Sequence, residues 1–223
     1  MNRQSVLFIY DMAGTVQGPL AVAWAHAKKE QPDLTLAQFK AQQKGKYALF
    51  PGMADLIRYT WTKGVNILFS EGNPENEGCP ELKGLFGYFQ RWQYAGKEVP
   101  LGKIPDNLAK VDPAVATIVR ETFSPQLVVV IGDSVGDYIF AYHLAHPKPN
   151  LTHGTQTPQV LPKVIFIQMG RQWGEENVRD SNPPVFFAES GQQMKHVIQE
   201  FLDQNCPQNL DNFKPLNKVR TFE

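Results

Sequence analysis

Five short apolar runs, continuous rather than alternating in character, constrain this chain more than any other feature. They cover residues 5–10, 65–69, 127–131, 163–168 and 184–187, are rich in Val, Ile, Leu and Phe, and are bounded by turn residues. A strand with one wet face alternates polar and apolar side chains. A strand covered on both faces does not, and continuous runs of this length therefore predict a parallel sheet between helical layers. Helical patterns lie between the runs. In 52–63, Met53, Leu56, Ile57 and Trp61 recur at helical spacing; in 113–123, Pro113 opens a segment carrying Val115, Ile118 and Val119; in 191–204 the set is Met194, Val197, Ile198 and Phe201. Strand and helix in alternation predict an α/β fold, a doubly wound, Rossmann-like parallel sheet.

One stretch interrupts that rhythm. Residues 17–49 separate the first strand from its crossover helix and contain two short helical patterns, 21–30 and 35–44, around a Pro-Asp turn. The expected organisation is a core of residues 1–16 and 50–223 with a small helical cap, 17–49, over the carboxyl end of the sheet. The cap carries Lys28, Lys29, Lys40, Lys44 and Lys46 against Glu30 and Asp33. A second irregular stretch, 147–162, holds four prolines and reads as a surface loop, and the polar tail beyond Asp203 reads as a surface extension. The Asn150-Leu-Thr sequon carries no weight without a secretory signal.

Composition excludes several classes. Twenty-two basic and 22 acidic residues cancel, so there is no chain-wide basic footprint for nucleic acid. No apolar run approaches the roughly 18–20 residues that span a bilayer. Cys79 and Cys206 stand far apart, which supports neither a disulfide framework nor a zinc site. A cytoplasmic monomer or homodimer is expected, with no nucleic-acid or membrane partner.

In open parallel sheets, ligands bind at the carboxyl ends of the strands. There the first strand delivers Asp11, then Met12-Ala13-Gly14-Thr15; the second delivers Ser70; the third delivers Gly132-Asp133-Ser134-Val135-Gly136-Asp137. Each part has an ordinary structural use, since Asp and Ser at such points often cap helices. Three carboxylates and a hydroxyl at strand ends form a set suited to a hard divalent cation and a phosphoryl group.

These motifs resemble those of haloacid dehalogenase superfamily hydrolases over nearly the whole chain. Phe8-Ile9-Tyr10-Asp11-Met12-Ala13-Gly14-Thr15 is similar to the family's strand plus Asp-x-Asp-Gly-Thr at every position but one. Ile67-Leu68-Phe69-Ser70 resembles its second motif, Gly132-Asp133 with Asp137 its fourth, and Phe50-Pro51-Gly52-Met53 the exit from its helical cap. The resemblance implies a Mg²⁺-dependent hydrolase, most simply a phosphohydrolase acting on a small anionic metabolite. It implies Asp11 as nucleophile forming an aspartyl-phosphate, with Mg²⁺ held by Asp11, the Ala13 carbonyl, Asp133 and Asp137, the last directly or through water. It implies Met12, Ala13, Ser70 and a lysine as phosphoryl binders. Lys110, in Lys-Val-Asp-Pro, and Lys103, in Gly-Lys-Ile-Pro, both fit the third motif; Lys110 is the preferred match.

Ala13 departs from the family pattern, standing where the phosphatases carry their acid/base carboxylate. Such a group is worth about 10²–10⁴ in rate. Three readings follow: a phosphohydrolase for substrates whose leaving group needs no proton, a phosphonatase-like carbon–phosphorus hydrolase acting on a phosphonate, or a catalytically weak phosphoryl-binding protein. The phosphonoacetaldehyde hydrolase branch shares Asp-x-Ala-Gly-Thr, but its Schiff-base lysine has no recognisable counterpart in the shorter cap. Dehalogenation proper is disfavoured, because the acidic fourth motif would repel a carboxylate substrate. A receiver-like signalling domain would be shorter and lack the insertion. His143 and His146, spaced for one helix face, have no third ligand in sight, and Trp24, Trp61, Trp92 and Trp173 are assigned to packing.

Overall fold

The first apolar run becomes strand β1 (Val6–Asp11), buried along its length until Asp11 at its carboxyl end. The computed structural model describes residues 6–18, 27–43, 47–70, 73–93, 110–147, 161–170 and 181–205. After β1 come α1 (Leu36–Gln43), α2 (Met53–Lys63), β2 (Val65–Ser70), two single-turn helices α3 (Pro74–Glu77) and α4 (Pro80–Lys83), and β3 (Gln90–Gln93). The second half holds α5 (Pro113–Phe123), β4 (Leu127–Gly132), α6 (Val135–Ala145), β5 (Lys163–Met169), β6 (Val185–Ala188) and α7 (Gly191–Asn205). All strands are parallel, in the order β3-β2-β1-β4-β5-β6.

Each predicted strand is present, displaced by at most a residue or two at its ends. The sixth, β3, has no signature in the sequence, because Gln90-Arg91-Trp92-Gln93 contains no apolar run. Among the described residues it is an edge strand paired with β2, and it owes its place to backbone hydrogen bonds.

The sheet separates two apolar layers. On one face Phe8, Tyr10, Leu68, Val129 and Ile165 pack against Met53, Leu56 and Ile57 of α2 and Met194, Ile198 and Leu202 of α7. On the other, Leu7, Ile9, Val128, Val130, Val164 and Phe166 meet Val115 and Val119 of α5 and Phe140, Ala141 and Leu144 of α6. Burying one such aliphatic or aromatic side chain stabilises the fold by roughly 1.5–3 kcal/mol. Two-sided burial is the reason the strands read as unbroken apolar runs.

The two ends of the 17–49 stretch meet each other. Gln17 bridges to Leu49 in antiparallel fashion, Gly18 N donates to Ala48 O at 3.1 Å, and Phe50 N donates to Val16 O at 3.1 Å. Of the predicted pair of helices, 27–30 and Leu36–Gln43 are helical, with the intervening turn closed by Lys28 Nζ donating to Leu34 O. Most of the 147–162 loop and of the tail lies outside the described residues. Among the described residues, no helix is long and apolar enough to cross a membrane.

Candidate active site

The sheet order reverses between β1 and β4: the chain runs outward from β1 through β2 to β3, then returns to β4 and proceeds to β6. At such a switch point the two following loops diverge and leave a crevice at the strand ends. Asp11 ends β1 and Asp133 follows β4, so the fold places both carboxylates at this crevice.

Local backbone chemistry shapes the loop after Asp11. Val16 N and Gln17 N both donate to Met12 O, and Gly14 N donates to Gln17 O at 2.9 Å. This tight turn needs Gly14 in the left-handed region, at φ 89°, and a Cβ there would overlap the Asp133 carboxylate. Glycine thus supplies both the conformation and the room for Asp133 to approach the β1 loop. Thr15 is fully buried and donates from Oγ1 to Asp11 Oδ2 at 3.3 Å, orienting the carboxylate.

The lysine arrives from the start of α5. Asp112 caps that helix by accepting from Ala114 N at 2.8 Å, and Pro113 occupies its first turn. These residues fix the start of α5, and Lys110, just before it, lies at the crevice. Its Nζ lies 2.6 Å from Asp11 Oδ1 and 2.5 Å from Asp137 Oδ1. Among the described residues, Lys110 is the lysine that meets Asp11; Lys103, the other match to the third motif, lies outside them.

Asp137 is set by a capping box on α6. Ser134 Oγ donates to Asp137 Oδ2 at 2.7 Å and accepts from Asp137 N, while Ser134 N and Asp133 N also donate to Oδ2. The Asp137 side chain fills the space beside Gly132, where a Cβ would overlap it. Both Asp137 oxygens are thus engaged within the protein. The cap has a sequence signature, Ser-x-x-Asp opening an apolar helix. Thr15 falls within the first motif, but the sequence alone assigns neither it nor Ser134 a role at the site.

Oxygen atoms of Asp11, Asp133 and Asp137 lie within 4.8 Å of one another. Burial, above all, pushes Asp11 up from 3.8 to about 6; Lys110 pulls it down and Asp137 pushes it further up. Burial also raises Asp133, to about 7, with Asp11 and Asp137 adding repulsion. Among the described residues, three carboxylates here share the Lys110 ammonium, and a divalent cation would balance the surplus negative charge. The donors are hard oxygens, which suits Mg²⁺. Asp137 Oδ2 is filled by three donors, whereas its Oδ1 and both Asp11 oxygens accept one each and keep a lone pair to offer a cation, alongside Asp133.

The remaining predicted residues divide. Ser70 is buried at the end of β2, one residue past Phe69, which pairs with Asp11. The Met12 side chain is in the core, so only its backbone could bind a ligand. Ala13 is exposed at the turn, bridged to Gln17. Lys29 is exposed, whereas Lys44, Lys46 and the Lys40 side chain lie outside the described residues, as do Trp24 and Trp173. His146 is used locally, Nδ1 meeting Tyr142 O and Nε2 meeting Asn182.

No protein-family model matches this sequence, and no curated protein matches it. Among solved structures it is similar to a haloacid dehalogenase-like family hydrolase from Streptococcus pneumoniae. Identity is 13%, over 90% of this chain and 100% of that one, with a TM-score of 0.50. A protein described as a haloacid dehalogenase-like hydrolase from Burkholderia xenovorans LB400 is 12% identical over 89% and 98% of the two chains, with a TM-score of 0.45. The first of these likenesses shows that this six-stranded parallel sheet with its helices is a fold shared with haloacid dehalogenase-like proteins.

Proposed function

We propose that this chain is a divalent-cation-dependent phosphohydrolase acting on a small anionic metabolite, with Asp11 as the nucleophile. The observation that carries this reading is Lys110 Nζ at 2.6 Å from Asp11, within a cluster of three strand-end carboxylates. A lone buried Asp–Lys pair would be a structural ion pair. Surplus carboxylates around it make a site that gains from a cation and a phosphoryl group together.

Asp11 and Asp133 would hold Mg²⁺, with Asp137 directly or through water and the Ala13 carbonyl as a further oxygen. The cation, when bound, screens negative charge so that a carboxylate can approach an anionic phosphoryl group. Asp11, aimed by Thr15, forms a bond to phosphorus while the phosphorus–oxygen bond to the leaving group breaks. Water then attacks phosphorus, releasing phosphate and restoring the Asp11 carboxylate. Splitting one hard displacement into two easier ones is the advantage of a covalent intermediate. Lys110, with Ser70 and the backbone at Met12–Ala13, stabilises the transferring oxygens.

Ala13 decides the substrate class. Its methyl group can give no proton to a departing alkoxide, so the preferred substrate is one whose leaving group departs as a stable anion, such as an acyl phosphate. The same alanine favours a second reading, a phosphonate substrate whose carbon–phosphorus cleavage needs no acid at that position.

Phosphate release from acetyl phosphate, p-nitrophenyl phosphate, a sugar phosphate and phosphonoacetaldehyde, with and without Mg²⁺, tests these readings. Acetyl phosphate is expected to be turned over in a Mg²⁺-dependent manner, and Asp11→Asn to abolish it. Ala13→Asp is expected to raise turnover of the sugar phosphate by about 10²–10⁴. Preference for phosphonoacetaldehyde would establish the second reading. No turnover by the native chain on any of the four, with activity gained only in Ala13→Asp, would leave a phosphoryl-binding protein.

A further inference from the structure

Gln168 is wholly buried near the carboxyl end of β5, and among the described residues neither the nitrogen nor the oxygen of its amide has a hydrogen-bond partner. Such a group is costly in a protein interior, where polar atoms are almost always paired. Its position gives it a neighbour. Gln168 pairs with Gly132 in the β4–β5 register and shares its face with Val164 and Phe166, the face that α6 covers. The space above Gly132 belongs to the Asp137 carboxylate, which a Gly132 Cβ would overlap. Adjacent strands are about 4.8 Å apart, so Gln168 stands about one strand spacing from the position beside Gly132 that the Asp137 carboxylate fills. A glutamine carboxamide crosses that gap by rotation about its side-chain bonds.

Asp137 has one oxygen whose donor is shared with the nucleophile. Its Oδ2 accepts from Ser134 Oγ, Ser134 N and Asp133 N, all on the same short turn. Its Oδ1 accepts from Lys110 Nζ, the ammonium that also holds Asp11. A phosphoryl group at Asp11 brings new anionic oxygens to that ammonium. When Lys110 turns to them, Asp137 Oδ1 is left as a buried carboxylate oxygen short of a donor.

We propose that Gln168 is a positioning residue for the acidic site, whose amide donates to Asp137 Oδ1 when Lys110 turns to a phosphoryl group at Asp11. This rests on the phosphoryl-transfer reading above. It accounts for an amide at a position where leucine would be better tolerated in the ligand-free protein. A neutral donor is also what the site needs, since a second lysine would cancel the charge that attracts the cation.

Gln168→Leu and Gln168→Met in the full chain test this by two readouts taken together: the thermal midpoint without ligand, and the affinity for orthovanadate at saturating Mg²⁺. Removing an unpaired buried amide is expected to raise the ligand-free midpoint, while vanadate affinity falls by about tenfold, or 1.4 kcal/mol. Opposite signs are the signature, because a packing role would lower the midpoint and leave the folded protein's affinity alone. Vanadate affinity within about twofold of native in both variants overturns the proposal, since a lost charge-assisted hydrogen bond costs more than that. If the native chain shows no Mg²⁺-dependent vanadate binding, the phosphoryl reading itself has failed and the role of Gln168 goes with it. The two failures are therefore separable.

Discussion

At the scale of single residues, the crevice is a place where charge is held against its inclination. Asp11 and Asp133 keep their protons to about pH 6 and 7, chiefly because they are buried. Each therefore binds its proton more tightly in the folded chain than in the unfolded one, where carboxylates titrate near 4. The sign follows: their favourable contribution is complete below about pH 4 and is lost as pH rises through 6 and 7. In the absence of metal, stability measured by urea unfolding is expected to fall between about pH 4.5 and 8 by a few kcal/mol, about 1.4 kcal/mol for each tenfold difference in proton affinity between folded and unfolded chain. Mg²⁺ competes with those protons, so its stabilising effect should be larger at high pH than at low pH across that range. A metal effect that is flat with pH would show that these two carboxylates do not hold the cation.

Elements deliver these residues by their ends rather than their interiors. β1 and β4 are ordinary apolar strands until their last residues, and α6 begins with a capping box whose two partners also belong to the site. The helix therefore depends on the same hydrogen bonds that hold Asp137. Ser134→Ala removes the hydroxyl from Asp137 Oδ2, and the expected loss is about 1 kcal/mol in the free protein. Mg²⁺ affinity, followed by calorimetry, should weaken in the same variant because the Asp137 carboxylate loses one of its anchors. The far end of α5 offers the opposite case: Ser124 closes the helix in the left-handed region at φ 44°. Ser124→Gly relieves that conformation and should raise stability by about 0.5–1 kcal/mol, read from the urea midpoint, with activity unchanged.

At the scale of the molecule, Gln17 ties together segments far apart in sequence. It is wholly buried, its Nε2 donates to Glu77 O at 2.9 Å, and its Oε1 accepts from Cys79 N at 2.7 Å. Its backbone meanwhile pairs with Leu49 and holds Gly14 N. One residue thus fastens the end of the 17–49 stretch and the Asp11 loop, through its backbone, to the segment after β2, through its side chain. Gln17→Leu leaves two backbone groups unpaired, and the expected cost is about 2–3 kcal/mol, visible as a lower thermal midpoint. Amide exchange at Cys79 should rise in parallel, since that N–H loses its acceptor.

The sequence by itself determined the layered architecture and the candidate chemistry, because both are written in local patterns. Strands covered on two faces must be apolar throughout, and carboxylates at strand ends stand out against them. The Lys-Val-Asp-Pro segment, too, is readable as a capped helix start with a lysine before it. Other features were decided only by the tertiary structure. β3 is polar and exists because β2 offers it an edge. Thr15 and Gly14 acquire their roles from atoms of Asp11 and Asp133, the second of which is distant in the chain. Gln17 and Gln168 look like any glutamine in a sequence, since an amide carries no charge and no period. Only the packed molecule shows that one side chain is paired twice across the fold and the other, among the described residues, not at all, because hydrogen-bond satisfaction is a property of where the chain returns in space.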